Sequence, residues 1–237
     1  MHKWEIILPG MPVVTNVGFL GLCNAVLVNL DGKMAIFDPG NYGGREVLST
    51  ELSKKGLSKS DIEYVILSHL HYDHALNATF FPNAKVIVSK NEINYAKSNN
   101  DDPYLVPYLI DVIGDRLNPV NEGDELSGSK FVLLPGHTGG TMGMLLDDGT
   151  LLTGDAIKYV FEAVNGTATF AYYNGELANQ SLKKALRLAN KIVPGHDVPF
   201  AVSNGFIKRV KEKRYFQLNL KGNVELRINT VEFTETL

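Results

Sequence analysis

The sequence predicts an α/β fold with a two-sheet core covered by helices. Three observations carry this expectation. Short apolar, β-branched runs recur at 24–30, 33–37, 63–67, 85–88, 130–134, 143–146 and 150–153. Segments with apolar residues at helical spacing lie among them, at 45–55, 90–97 and 176–190. The chain has 237 residues, 44% hydrophobic and 21% charged, a globular balance that buries a sizeable core without cross-links.

The elements follow in order. The runs 24–30 and 33–37 flank Asp31-Gly32, a strong hairpin signal because both residues tolerate positive φ. In 45–55 the residues Val47, Leu48 and Leu52 share one helical face, and Gly56 suits the C-terminal cap. The run 63–67 leads straight into Ser68-His69, and 85–88 precedes the helix at 90–97. Within 176–190, Leu182, Leu186 and Ala189 are core candidates. Residues 203–217 read as a final helix, and 223–233 alternate like a strand that pairs internally or with a second subunit. The segment 98–119 takes no clear assignment beyond a short helix around 104–113. No linker divides the chain, so a single domain over 1–237 is expected, with its core at about 13–217 and a tail at 218–237.

Charge and cysteine usage narrow the function. Lys+Arg 23 against Asp+Glu 26 gives a net charge of -3, which argues against nucleic acid or an anionic membrane as partner. The basic run 208–214 reads as the solvated face of the last helix. Cys23 is the only cysteine, so no intrachain disulfide framework exists, and it reads as a small buried apolar residue. The early apolar run, Ile6 to Leu8, is far too short for a signal-peptide core. A soluble, cytoplasmic protein is expected.

The chemistry concentrates on histidine. Three of six histidines fall in His69-Leu70-His71-Tyr72-Asp73-His74. Imidazole and carboxylate are good ligands for zinc and similar divalent ions. His69 and His71 alternate, so on an extended segment both point the same way. His74 lies beyond the alternation, with Asp73 on a turn, and suits a second metal. Further ligands come from three glycine-containing turns after strands: Pro135-Gly136-His137-Thr138-Gly139-Gly140, Thr153-Gly154-Asp155 and Pro194-Gly195-His196-Asp197. His2 reads as an ordinary terminal residue.

HLHYDH, PGHTGG, TGDA and PGHD, in this order, resemble the motif series of the metallo-β-lactamase superfamily, over about residues 13–200. The resemblance implies a four-layer αββα sandwich with a two-metal site at one edge. It implies His69, His71 and His137 on one ion, Asp73, His74 and His196 on the other, and Asp155 bridging. It also implies Asp38 as a support that orients the ligand loops. The implied enzyme is a metal-dependent hydrolase, with Asp73 and Asp155 as catalytic residues. Two divalent ions, zinc first and iron or manganese as alternatives, bring a water pKa down toward ~7 and so supply hydroxide at neutral pH.

A small ester, lactone or related acyl compound is the expected substrate. The resemblance to glyoxalase II-like enzymes stops at the core, because about 40 residues follow His196, too few for their helical C-terminal domain. The segment from Asp155 to Glu176 resembles the lactonase branch. That branch places a tyrosine three residues after the bridging aspartate, where this chain has Lys158, followed by Tyr159. A lysine there suits a substrate carboxylate or phosphate as a point charge. Gly18 to Leu22 reads equally as a pocket cover or as core. Tyr104 and Tyr108 are lid candidates. Phe170, Tyr172 and Tyr173 read first as the core face of a strand and second as a pocket lining. A phosphodiesterase or ribonuclease on the same metals and a mononuclear iron persulfide dioxygenase are the alternatives, with a non-catalytic metal-binding module behind them.

Overall fold

A computed structural model describes residues 1–98, 101–204, 206–207, 217, 219 and 222. The first half supplies strands β1 (Lys3–Leu8), β2 (Val14–Thr15), β3 (Gly18–Phe19), β4 (Ala25–Leu30), β5 (Lys33–Phe37), β6 (Ile62–Ile66), β7 (Lys85–Ser89) and β8 (Leu117–Val120). Its helices are α1 (Arg45–Lys54), α2 (Tyr72–Ala75), α3 (Lys90–Lys97) and α4 (Leu109–Ile113). The second half supplies β9 (Glu125–Leu126), β10 (Ser129–Leu133), β11 (Met142–Leu145), β12 (Thr150–Gly154), β13 (Lys191–Pro194), β14 (Phe200–Ser203) and β15 (Phe206–Ile207). Its helices are α5 (Val160–Asn165) and α6 (Gly175–Leu188).

Two large sheets result, in the orders β1-β4-β5-β6-β7-β8 and β15-β14-β13-β12-β11-β10-β9, and β2 and β3 form a separate small hairpin. The pairings β5–β6, β6–β7, β7–β8 and β12–β13 are parallel. Strand alternation then builds four layers. Val26, Val28, Phe37, Ile66 and Ile87 of the first sheet meet Phe131, Met144, Leu152 and Val193 of the second. The opposite face of the first sheet, with Leu27, Ile36, Val65 and Val86, packs on Leu48 and Leu52 of α1 and Leu109 and Ile113 of α4. The outer face of the second sheet, with Leu151, Ile192 and Val202, packs on Leu182, Ala185 and Leu186 of α6. Strands buried on both faces explain the near-continuous apolar runs in the sequence. Leu182 is fully buried, so its truncation to alanine costs about 2–5 kcal/mol.

Local signals hold at several points. Asp31 and Gly32 both take positive φ, 53° and 95°, as the tight β4–β5 turn requires. Gly56, φ 72°, follows α1. Other expectations change. Val47 is 52% exposed, and only Leu48 and Leu52 of that trio are buried. The short helix expected around 104–113 is confined to Leu109–Ile113, and β8 follows within the same segment. The strand β1 lies before the expected core and adds an edge to the first sheet through β4. Phe206 and Ile207 pair with Val202 and Ser203 in a hairpin, so the helix expected from 203 does not begin there. Most of 208–217 and all of 223–233 fall outside the described residues. Among the described residues, no helix is long and apolar enough to cross a membrane.

Candidate metal centre

The ligand candidates converge because parallel strands end together, the usual place for a site in such sheets. Asp38 follows β5 and His69 lies just beyond β6, while Asp155 follows β12 and His196 lies just beyond β13. His137 sits on the turn between β10 and β11, and Asp73 and His74 sit on α2. Close backbone approach makes this packing feasible. Gly154 has φ 51°, and a Cβ there collides with the Ser68 side chain; a Cβ on Gly195 collides with the Asp155 carboxylate.

Each of the five histidines is held by one ring nitrogen and turns the other inward. His69 Nδ1 lies 2.8 Å from Ser68 Oγ, and Ser68 Oγ donates to Asp38 Oδ2 at 2.6 Å. The hydroxyl thus donates to the carboxylate and accepts from the ring. His74 Nδ1 lies 2.8 Å from Asp38 Oδ2, and Ser68 N donates to Asp38 Oδ1 at 2.7 Å. Asp38 therefore orients two rings at once, and it does so from a strained φ of 50°. His137 Nδ1 meets the Phe170 carbonyl at 2.6 Å, and His196 Nδ1 meets the Leu22 carbonyl at 2.7 Å. His71 is reversed: its Nε2 meets Asp102 Oδ2 at 2.8 Å, and its Nδ1 lies 3.0 Å from His137 Nε2.

The inward atoms form groups able to hold a cation. The sets His69–His71–His137, Asp73–His74–His196 and His69–His74–Asp155 each bring their ligand atoms within 4.8 Å of one another, all on buried residues. Asp155 lies between the first two. Its Oδ2 is 3.4 Å from His137 Nε2, and its Oδ1 is 3.3 Å from both His74 Nε2 and His196 Nε2. His69 Nε2, Asp73 Oδ2 and Asp155 Oδ1 are buried without a hydrogen-bond partner, while Asp155 Oδ2 has Lys158 Nζ as an ion-pair neighbour. Buried polar atoms of this kind are costly unless something binds them, and divalent cations fit this donor set.

Electrostatics at His69 and His137 agree. Burial, reinforced by His74, His71 and His137, holds the His69 pKa well below the usual imidazole range. Burial lowers His137 too, against the pull of Asp155. Both rings are thus neutral, as ligands must be. At His74 burial is outweighed by Asp155, Asp73 and Asp38, which raise the pKa well above that range. Burial pushes the Asp155 carboxyl up, but Lys158, His196 and His74 hold it well below the usual carboxylate range. Three carboxylates gather here, and Lys158 Nζ reaches one of them, 3.1 Å from Asp155 Oδ2.

Above this floor opens a cavity of about 250 Å³, lined among others by Phe19, Tyr72, Tyr104, Lys158, Phe170 and Tyr172, with His71 and Asp73 at its base. The Phe19 ring stands edge-on to His196 at 5.4 Å and over Lys158 Nζ at 4.5 Å. The β2–β3 hairpin is thus a pocket cover, held by Tyr72 Oη donating to the Phe19 carbonyl at 3.1 Å. Phe170 and Tyr172 lie on an irregular segment, not on a strand, and Phe170 has φ 53°. Of the two lid candidates Tyr104 lines the cavity, while Tyr108 is exposed and does not. Burial pushes the hydroxyls of Tyr159 and Tyr172 up to about 12, so both stay protonated and can donate hydrogen bonds at neutral pH.

Sequence reasoning missed several supports. Glu92 is buried and accepts from Leu70 N at 2.8 Å, Thr138 Oγ1 at 2.6 Å and Gly140 N at 3.0 Å, joining two ligand loops. Glu162 accepts from Lys158 N at 2.6 Å and from Thr169 N at 2.7 Å, which fixes the wall carrying Phe170. Cys23 is buried as expected, yet it is close to the centre in space: its Sγ reaches the Asp38 carbonyl at 3.4 Å. His2 stays outside the cluster, but it is buried rather than frayed, with Nδ1 3.0 Å from Ser129 Oγ.

A model of the metallo-beta-lactamase superfamily matches residues 18–196, and the chain belongs to that superfamily. An N-acyl homoserine lactonase of Bacillus cereus is 32% identical over 160 residues, 63% of this chain and 61% of the lactonase. The chain thus spans about three fifths of the length of this curated relative. A metallo-beta-lactamase-like protein of Thermotoga maritima shares the fold with TM-score 0.69 at 22% identity, over 84% of this chain and 99% of that one. AidC, a dizinc quorum-quenching lactonase, does so with TM-score 0.66 at 21% identity, over 90% and 92%.

Proposed function

We propose that the protein is a metal-dependent hydrolase of a small ester, lactone or related acyl substrate that carries an anionic group. In this reading His69, His71 and His137 hold one divalent ion, and Asp73, His74 and His196 hold a second. Asp155 would link the two positions, and the observation that carries the assignment is that its two oxygens face different triads, at 3.3 Å from His196 Nε2 and 3.4 Å from His137 Nε2. Zinc is the first expectation, with iron or manganese also suited to histidine and carboxylate. Such a pair, when bound, supplies a Lewis acid and a water acidic enough to attack a carbonyl at neutral pH.

The chain's own residues do the rest. Asp38, Glu92 and Asp102 hold the ligand rings and loops in position, so little reorganisation is needed during turnover. Asp73 lines the cavity while its Oδ2 turns to His196 Nε2 at 3.4 Å, so the carboxylate stands between the second triad and the substrate, where it orients the attacking water. Phe19 covers the floor and excludes bulk water. Lys158, only 8% exposed at the cavity wall, attracts a substrate carboxylate or phosphate. The hydroxyl of Tyr172 donates a hydrogen bond into the cavity. The lactonase name of the relative from Bacillus cereus supports an acyl ring-opening or ester-cleaving reaction, and Lys158 shifts preference toward charged substrates. The apolar layer shared by both sheets supports one domain, and the single buried Cys23 suits a reducing compartment such as the cytoplasm.

The test pairs elemental analysis of the purified protein with a screen of esters, lactones and phosphodiesters, each in neutral and anionic forms. About two zinc per chain with turnover of anionic esters or lactones is the expected result. Phosphodiester turnover without ester turnover, or one iron with oxygen uptake, overturns the proposal.

A further inference from the structure

Asp102 stands out in the ring-orientation pattern. Four of the five clustered histidines turn Nε2 inward, and His71 alone turns Nδ1 inward. The Asp102 side chain is 1% exposed and takes the outward Nε2 of His71 at 2.8 Å. The same carboxylate accepts from Tyr95 Oη at 3.0 Å and from Tyr104 N at 3.1 Å. Tyr104 lines the substrate cavity. Its segment is laced to the histidine motif by backbone bonds, with Tyr72 N donating to the Tyr104 carbonyl and Val106 N to the Leu70 carbonyl, both at 3.0 Å. His71 and Leu105 form an isolated antiparallel bridge.

We infer that Asp102 is a positioning residue that fixes His71 with Nδ1 toward the first metal position and couples that metal to the cavity wall at 102–106. The inference rests on the ligand reading above and deepens it. An imidazole can rotate about its Cβ–Cγ bond and present either nitrogen. A carboxylate behind Nε2 holds the proton there, leaves the Nδ1 lone pair free and raises its basicity. Because the same carboxylate grips Tyr104 N, the ring and the wall move together.

The test titrates metal-stripped protein with zinc alone against a chromophoric chelator, and follows amide hydrogen exchange over 102–106 before and after zinc. In the unmodified chain two equivalents bind and protection at 102–106 rises on zinc addition. In Asp102→Ala one equivalent weakens by about 10- to 100-fold, the other keeps its affinity, and the rise in protection disappears. Asp102→Asn, which keeps an acceptor without the charge, loses less and covers the case in which the alanine variant does not fold. Tyr95→Phe removes one bond to Asp102 and leaves both zinc affinities unchanged. Unchanged affinities in both Asp102 variants overturn the inference while leaving the ligand reading intact. So does a loss in Tyr95→Phe equal to that in Asp102→Ala, since packing then explains the effect. No zinc uptake by the unmodified chain overturns the ligand reading and this inference with it.

Discussion

The floor and the rim of the cavity are built by different rules. On the floor every group is buried and the rings are tied down: five histidines each carry an outer partner, and Asp38, Glu92 and Asp102 serve as hubs. At the rim Phe170 is 53% exposed and Tyr172 37%, and both stand on irregular backbone. The floor grows from the ends of parallel strands, where position is fixed by the sheet. The rim grows from a hairpin of two-residue strands and from loops, which vary without disturbing the core. Chemistry is thus assigned to the rigid part and substrate choice to the adaptable part.

Mutations separate the two. The largest effect is expected from His69→Ala or Asp155→Ala, which abolish turnover and lower metal content while the far-ultraviolet spectrum stays native; full activity in either breaks the floor's assignment. Asp38→Ala comes next. It frees both His69 and His74, and metal affinity measured by chelator competition falls by about 10- to 100-fold. Glu92→Ala leaves the buried Leu70 N and Gly140 N without an acceptor, so stability drops by about 3 kcal/mol in denaturant unfolding. An unchanged midpoint breaks its role as the brace between ligand loops. On the cavity wall between floor and rim, Lys158→Met raises KM for anionic substrates by about tenfold, or ~1.4 kcal/mol, more than for neutral analogues, which feel only the loss of its ion pair with Asp155. An equal loss for both substrate types assigns Lys158 to the floor alone.

The same division explains what was legible in the sequence. His69, His71, Asp73 and His74 declare themselves because they lie within six residues, and His137, Asp155 and His196 because a glycine directly precedes each. Asp102 gave no local signal: it is one acid in a polar loop, and its partner lies 31 residues away. Glu92 reads as an ordinary acid in the first turn of α3, and only the fold buries it. Phe170 and Tyr172 alternate as strand residues do, yet Phe170 takes a positive φ that local pattern does not reveal. The strand β8 hides behind Pro119, a poor strand former that the sheet edge tolerates. Lys158, in contrast, was visible as a departure from the lactonase pattern, and the cavity wall is where it lies.

The central claim is a two-metal centre spanned by Asp155. Its most direct test is to add zinc stepwise to the metal-stripped protein and to Asp155→Ala, reading bound metal and turnover together. The unmodified chain is expected to saturate at two equivalents with activity rising to the second, and Asp155→Ala to bind less and stay inactive. Full activity at one equivalent, or two tightly bound ions in Asp155→Ala, contradicts that claim.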